Sequence, residues 1–432
     1  MTYKSIRRMV AMSRSARRPD QVARYFYEER IAHPSVIKTG ITLGEANKCN
    51  QHEMFAVMTA DIVRMIDDIY TLDRQVRVRW KRLPDFAQDI YVKSLIAREI
   101  ESTNKVESID SSWEEVWSAV SVSSAQKGAK RDIQTRSVSG SQKHTKKHIR
   151  FESLAHLYFT VRGSSETDEC AAGTGHDALP HSLQEIRDIY DLVMQGEIEK
   201  GNEVDGQIFR KNSVAIYDPG RLEPTHQGVR NEADITQYMR LWLRLQCDER
   251  IPALLRAIMC HFLFEYVHPF YDGNGRTGRY LLTQHLSTIV CFPVAASLSR
   301  VIHGHKAQYY KAFEEAEDSM NCAELTMFCE RMLKFVLETE SDVNDALETR
   351  SFEGEMLGVL PVDIITQLLF AQDLYGYKRD IGLTIQDIAT YSGMGRNRVA
   401  QILKEMVVQG TVIEIPGAGR RAGMYVLGKK AR

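Results

Sequence analysis

The sequence predicts a mainly α protein: a helical bundle carrying one small β-hairpin, followed by a C-terminal helix–turn–helix with two short strands. Three observations predict it. Helical periodicity runs through most of the chain, as in MFAVMTADIVRMIDDIY (54–70). Before residue 400 only GQIFRKNSVAIYDPGRLEPTHQG (206–228) reads as a hairpin, with β-branched residues followed by Asp218-Pro219-Gly220. The third is the C-terminal pattern LTIQDIATYSGMGRNRVAQILKEMVVQGTVIEIPGAGRRAGMYVL (383–427), two helical stretches around Ser392-Gly393-Met394 and then two apolar runs around Pro-Gly-Ala-Gly-Arg-Arg.

The elements fall in order along 432 residues, of which 43% are hydrophobic and 26% charged, enough for two or three domains with separate cores. Residues 1–45 form a basic N-terminal segment (Arg7, Arg8, Arg14, Arg17, Arg18) in which Pro19 breaks any continuous helix, so a solvated tail is expected. Residues 46–120 read as helical, with a stop at Leu83-Pro84. Within 121–180, a polar insertion with a connecting helix, SVSSAQKGAKRDIQTRSVSGSQKHTKKH (121–148) and ETDECAAGTGHDALP (166–180) have too little apolar content for a core and are expected as loops.

The next region is expected over 181–340. It opens with SLQEIRDIYDLVM (182–194), where Ser182 caps a helix and Glu185 completes a capping box. PALLRAIMCHFLFEYV (252–267) has the spacing of a helix buried on one side and ended by Pro269; YLLTQHLSTIV (280–290) is apolar on nearly every side. The acidic stretch ETESDVNDALE (338–348) reads as a connector to the last region, 355–432.

Net charge is −1, so no global field selects nucleic acid or membrane, and no apolar run approaches the roughly 20 residues that span a bilayer. The N-terminus has arginines but no hydrophobic signal core. A soluble cytoplasmic protein with no membrane partner is expected. The seven cysteines show no CxxC pair and no metal-ligand spacing with histidine, which argues against disulfides and structural zinc.

Between the two buried helices lies HPFYDGNGRTGR (268–279). Its glycines match GxGxxG, but a dinucleotide fold needs a preceding strand and an acid about 20 residues later. Here a helix precedes, and no Asp or Glu occurs between Arg279 and Glu314. A phosphate-binding GxxxxGK[ST] loop is absent too. What remains is an anion site: glycines permit close approach, successive N–H groups point at the ligand, and the helix dipole adds roughly half a positive charge. An acid beside it suits Mg2+, arginines grip polyphosphate oxygens, and a histidine at the edge can take a proton from a hydroxyl. The set describes nucleotidyl or phosphoryl transfer.

The stretch resembles the HPFx(D/E)GN(G/K)RxxR motif of the Fic domain and matches it at every fixed position. The resemblance, covering roughly 60–335 with the 121–148 insertion interrupting it, implies a Fic-type helical bundle with its catalytic core over 181–340. It implies His268 as general base, Asp272 as Mg2+ ligand, Gly273, Asn274 and Gly275 as anion hole, and Arg276 and Arg279 on the distal phosphates, with Gly278 inside the motif. The implied activity moves AMP from ATP to a Ser, Thr or Tyr hydroxyl of a protein, the chain itself included. UTP, GTP or removal of AMP remain alternatives. The hairpin at 209–226 sits where Fic proteins carry a flap that holds the target by strand addition.

In REIESTNKVESID (98–110), Thr103, Glu107 and Ser108 are similar to the Fic inhibitory helix (S/T)xxxE(G/N), with serine in the last position. A carboxylate reaching Arg279 would occupy the cation meant for the γ-phosphate. Such autoinhibition is intramolecular, or acts between protomers of a dimer. The C-terminal region resembles a winged helix-turn-helix: Arg396, Asn397 and Arg398 open its second helix and Arg420 and Arg421 sit on the wing, a pattern for DNA or for protein contacts. A nucleotide-sensing DNA-binding regulator is therefore the competing function.

Overall fold

The computed structural model describes residues 3–15, 17–44, 51–83, 85–132, 149–165, 179–216, 224, 226–348, 364–366, 368–369, 382–417 and 422–428. Both the tip of the 206–228 hairpin and Arg420 and Arg421 lie outside the described residues, as do 133–148 and 166–178. The chain is mainly helical and forms two compact units, residues 1–73 with 99–341 and residues 74–98 with 342–432.

The N-terminal segment is folded. Ser5 caps α1 (Ile6–Met12), and Pro19, expected as a breaker, occupies the first turn of α2 (Pro19–Ile31), where its missing N–H costs nothing. Ile6 and Ala23 are buried with Phe55 and Cys322, and Arg30 pairs with the buried Glu324. The basic residues alone suggested solvation; the apolar Ile6, Val22 and Ala23 between them decide the packing.

A second hairpin was missed. Strands β1 (Val36–Leu43) and β2 (His52–Val57) pair antiparallel from Val36↔Val57 to Leu43↔His52, with an irregularity between Lys38 and Thr42 where Gly40 takes φ 70. MFAV was expected in a helix, but Phe55 bonds the main chain at Ala323 and Leu325, and α3 (Ala60–Arg82) begins only after Thr59 accepts from the Ile62 N–H. Burial alternates over 39–43, the period-two pattern of a strand, within the segment expected as a solvated tail.

Helix α4 (Asp85–Val106) carries the Thr103 motif on its last turn. Helix α5 (Trp113–Asp132) runs 12 residues into the segment expected as a loop, because Val116, Ala119, Val120 and Ser123 give it a buried face against α6 (Glu152–Ser165). Ser182 caps α7 (Leu183–Val193) as expected, while the Glu185 carboxylate reaches one residue further back, to the His181 N–H. Short strands β3 (Ala215–Ile216) and β4 (His226–Gln227) pair antiparallel at the base of the expected hairpin, and α8 (Glu232–Leu245) follows.

Helix α9 (Ala253–Val267) is buried almost all round and not on one side only, and α10 (Asn274–Ser287) packs beside it. Any Cβ at Gly278 would run into Glu265 and Phe264 of α9, so glycine sets the spacing of this pair. Helices α11 (Phe292–Ala295), α12 (Leu298–Gly304) and α13 (Lys306–Glu317) lead to a 3-10 turn (Ser319–Asn321) and α14 (Thr326–Glu348). The acidic connector is thus helical: Val343 and Leu347 stay buried, while Asn344 and Glu348 take Arg79.

The second unit has its own core of Ile90, Leu383, Ile388, Val399, Leu403 and Leu427 among others. Thr384 and Asp387 form a capping box on α15 (Ile385–Ser392), Gly393 closes it at φ 68, and α16 (Arg396–Val408) follows. Strands β5 (Val412–Ile415) and β6 (Met424–Leu427) pair antiparallel, and Leu383 bridges to Tyr425.

Candidate active site

The loop joining α9 and α10 is built by its own side chains. Asn274 donates to the Phe270 carbonyl at 2.8 Å and accepts the Phe270 N–H at 2.9 Å, so its side chain closes the turn and only its N–H remains for an anion. The Phe270 ring stacks on Tyr190 at 3.6 Å, fixing the turn to α7. Gly273 takes φ 76 as N-cap of α10 and lies so close to Met194 that any Cβ would collide. No side chain caps α10, so its first N–H groups keep their hydrogen-bonding capacity for a ligand.

His268 occupies the C-cap of α9 in the left-handed region, φ 52, which turns its ring toward the loop. Its Nδ1 lies 3.4 Å from the Glu265 carbonyl, an arrangement that leaves Nε2 as the proton acceptor. Burial, then the nearby His226 and Arg210, push its pKa down to about 3, so the imidazole is neutral at physiological pH. The sequence reading missed both neighbours. Arg210 is fully buried and gives its donors to main-chain carbonyls, those of His268 at 2.7 Å, Val267 at 3.3 Å and Asn212. It thereby holds the end of α9, and nothing in FRKN signals that role. His226 pairs with Glu317 at 2.7 Å, its ring 5.2 Å from that of His268.

On the far side of the loop, Arg279 is 2% exposed and fully engaged. Its Nε donates to Thr103 Oγ1 at 2.8 Å, one Nη to the Thr103 carbonyl at 3.1 Å, and the other meets Glu107 Oε1 at 2.7 Å. Burial opposes the Arg279 charge; Glu107, then Tyr309, Glu265 and Tyr310, together more than offset that cost, and the pKa lies above the ordinary arginine range. The Glu107 carboxylate lies directly over Gly275, where any Cβ would strike it.

Ser108 explains the last position of this motif. The Ile109 N–H bonds the Asn104 carbonyl and the Ser108 N–H bonds that of Lys105, a helix stop that places Ser108 at φ 59, where Gly or Asn fits best. Lys306 donates to Ser108 Oγ at 2.9 Å and Tyr310 to the Val106 carbonyl at 3.2 Å, so α13 braces the turn.

A cleft of about 560 Å³ opens over the loop, lined by Glu107, His268, Asp272, Gly273, Asn274, Gly275 and Arg276 together with Arg150, Glu197 and Ile216. Asp272 accepts the Gly273 N–H with one oxygen at 2.6 Å, which leaves the other for a cation. Among the described residues no cluster of three or more His, Cys, Asp or Glu could hold a metal. A lone carboxylate nonetheless fits Mg2+, which takes one or two carboxylates and completes its shell with water and phosphate. Arg276 is 3% exposed and 3.6 Å from Glu197, which Arg150 holds. The sequence reading singled out neither Arg150 nor Glu197.

The structure thus gathers His268, Asp272, Gly273, Asn274, Gly275, Arg276, Gly278, Arg279, Thr103, Glu107 and Ser108 around one loop. Arg396, Asn397 and Arg398 belong to the other unit, exposed at the start of α16.

Residues 180–286 match the Fic/DOC family. The chain is 26% identical over 254 residues to an Aquifex aeolicus (strain VF5) protein named "Probable protein adenylyltransferase", covering 59% of this chain and 68% of that one. It is 25% identical over 187 residues to the Drosophila mojavensis "Protein adenylyltransferase Fic", covering 39% of this chain but only 34% of the fly protein. A crystal structure of a Fic family protein from Desulfovibrio desulfuricans G20 aligns over 87% of this chain and 98% of that chain, at 18% identity and a TM-score of 0.47. No helix among the described residues is long and apolar enough to cross a membrane.

Proposed function

The chain carries a Fic/DOC domain, and on that premise we propose that it is a protein adenylyltransferase that moves AMP from ATP to a Ser, Thr or Tyr hydroxyl of a protein, itself included, under restraint by Glu107. The observation that carries this reading is the neutral His268 at the lip of an uncapped helix N-terminus flanked by Arg276 and Arg279. His268 Nε2 takes the hydroxyl proton as the oxygen bonds to the α-phosphorus, and the bond to the pyrophosphate oxygen breaks. N–H groups at the start of α10 and the two guanidiniums hold the phosphates, whose charge they are placed to balance. Asp272 would hold Mg2+, which supplies charge neutralisation across the phosphates.

With α-labelled ATP, label should appear on protein; with γ-labelled ATP it should not. His268→Ala should lose about 10²-fold or more of this transfer while binding ATP as before. Undiminished labelling by that variant overturns the assignment of the base.

A second role belongs to the other unit. Arg396, Asn397 and Arg398 are exposed at the N-terminus of the second helix of a helix–turn–helix, the position that meets the DNA major groove in winged-helix proteins.

A further inference from the structure

Both arginines of the anion loop face a carboxylate, but the two pairs differ. Glu107 meets Arg279 at 2.7 Å, whereas Glu197 stands 3.6 Å from Arg276, beyond a hydrogen bond. The reason lies behind Glu197. Arg150 Nε donates to Glu197 Oε1 at 2.7 Å and its Nη2 to Oε2 at 2.9 Å, a bidentate fork that takes both oxygens. A third donor of Arg150 bonds the Asp110 carbonyl at 2.9 Å, fixing the fork to the segment that follows Glu107.

Arg276 meanwhile is 3% exposed, and its Nε and Nη1 find no hydrogen-bond partner among the described residues. A buried guanidinium with unused donors turned to a phosphate site is poised for an anion. Glu197 is only 10% exposed, so it needs a cation; without Arg150 the guanidinium of Arg276 is at hand.

We propose that Arg150 is a positioning residue of the nucleotide site: by gripping Glu197 it keeps Arg276 available for the polyphosphate of an incoming nucleoside triphosphate. The inference rests on the adenylyltransferase reading and deepens it. Glu197 and phosphate compete for one guanidinium, and Arg150 decides the competition. Arg276 itself has its pKa lowered by burial, with Glu197 and Asp272 opposing that shift, as expected for a cation its neighbours only partly compensate.

The test is titration of the full chain with ATP and Mg2+, for wild type, Arg150→Ala, Glu197→Gln and the double variant, with thermal unfolding measured alongside. Arg150→Ala should weaken binding on the order of tenfold, the usual size of coupling within one ionic network. Glu197→Gln should bind at least as tightly as wild type, and the double variant should return to the Glu197→Gln affinity. Arg150→Lys keeps the charge but loses the fork, and should fall between. If the double variant stays as weak as Arg150→Ala, Arg150 touches phosphate directly and the proposal is overturned. Unchanged affinity in Arg150→Ala overturns it as well, whatever happens to the melting temperature. If wild type binds neither ATP, GTP, UTP nor tripolyphosphate, the nucleotide reading falls and takes this inference with it, a result distinct from the other two.

Discussion

On the adenylyltransferase reading proposed above, replacing Glu107 by glycine should speed transfer. The change removes the carboxylate that meets Arg279 at 2.7 Å, yet leaves Arg279 anchored by both contacts to Thr103. The freed Nη therefore stays aimed at the space over Gly275, now open to a γ-phosphate. A charge-assisted hydrogen bond of this kind is worth about 1.5–3 kcal/mol. Since 1.4 kcal/mol is about tenfold, the competent fraction should rise roughly ten- to a hundredfold. Glu107 is 30% exposed, which screens the pair and favours the lower half of that range. The assay is the initial rate of transfer from α-labelled ATP onto the chain and onto proteins of a lysate. Combining Glu107→Gly with Arg279→Ala should erase the gain, because no cation remains for the γ-phosphate. Simple loss of stability predicts slower transfer and a lower melting temperature. A Glu107→Gly rate no higher than wild type would refute the reasoning.

Four further outcomes follow. Because the His268 pKa is pushed from its ordinary 6.5 to about 3, the unfolded chain binds a proton there that the folded chain does not. This site's contribution to stability is full above pH 6.5 and is lost as pH falls through that window; the pH dependence of unfolding should be shallower in His268→Ala. Arg210→Met removes a buried cation and the clamp on the Val267 and His268 carbonyls, so kcat should drop on the order of tenfold with KM for ATP unchanged and the apparent pKa of the base raised, read from the pH–rate profile. Ser108→Asn suits φ 59 and still offers Lys306 an acceptor; it should stabilise the turn by about 0.5–1 kcal/mol, read as a melting temperature above that of wild type. In the other unit, Arg396→Ala with Arg398→Ala should weaken DNA binding and flatten its salt dependence by roughly one counterion per arginine; no DNA binding by wild type at low salt leaves protein contacts as the module's role.

The site was legible because its chemistry is compressed into one contiguous stretch. Twelve residues from His268 to Arg279 carry a histidine, an acid, three glycines and two arginines, and the flanking apolar runs place them on a loop. Thr103, Glu107 and Ser108 were legible for the same reason, being a short motif on one helix end. Arg210, Glu197 and Arg150 were not, because each acts through a neighbour distant in sequence and none has a distinctive local pattern. The β1–β2 hairpin was missed because MFAV is as apolar as the helix it precedes, and strand pairing with Ala323 and Leu325 is a tertiary fact. Likewise α1, the last part of α5 and the end of α14 are helices that read as tail, loop and connector; the burial of Ile6, of Ser123 and of Val343 with Leu347 ties each to the fold.

How Glu107 could let go follows from what holds the turn around it. The main chain there is fixed by the Ile109–Asn104 and Ser108–Lys105 bonds, by Lys306 on Ser108 and by Tyr310 on Val106. Unwinding the end of α4 would break all of these and pull Thr103 from Arg279. Swinging the Glu107 side chain breaks one ionic contact and costs only a rotamer change, smaller by several hydrogen bonds. On the inhibitory reading, release is therefore a side-chain event over an intact helix end, and the Arg279 site remains assembled through it. Amide hydrogen exchange at Asn104–Ile109 separates the two routes. Protection should be the same in Glu107→Gly as in wild type, with and without ATP; loss of protection over that turn in the faster variant would show that the helix end itself must open.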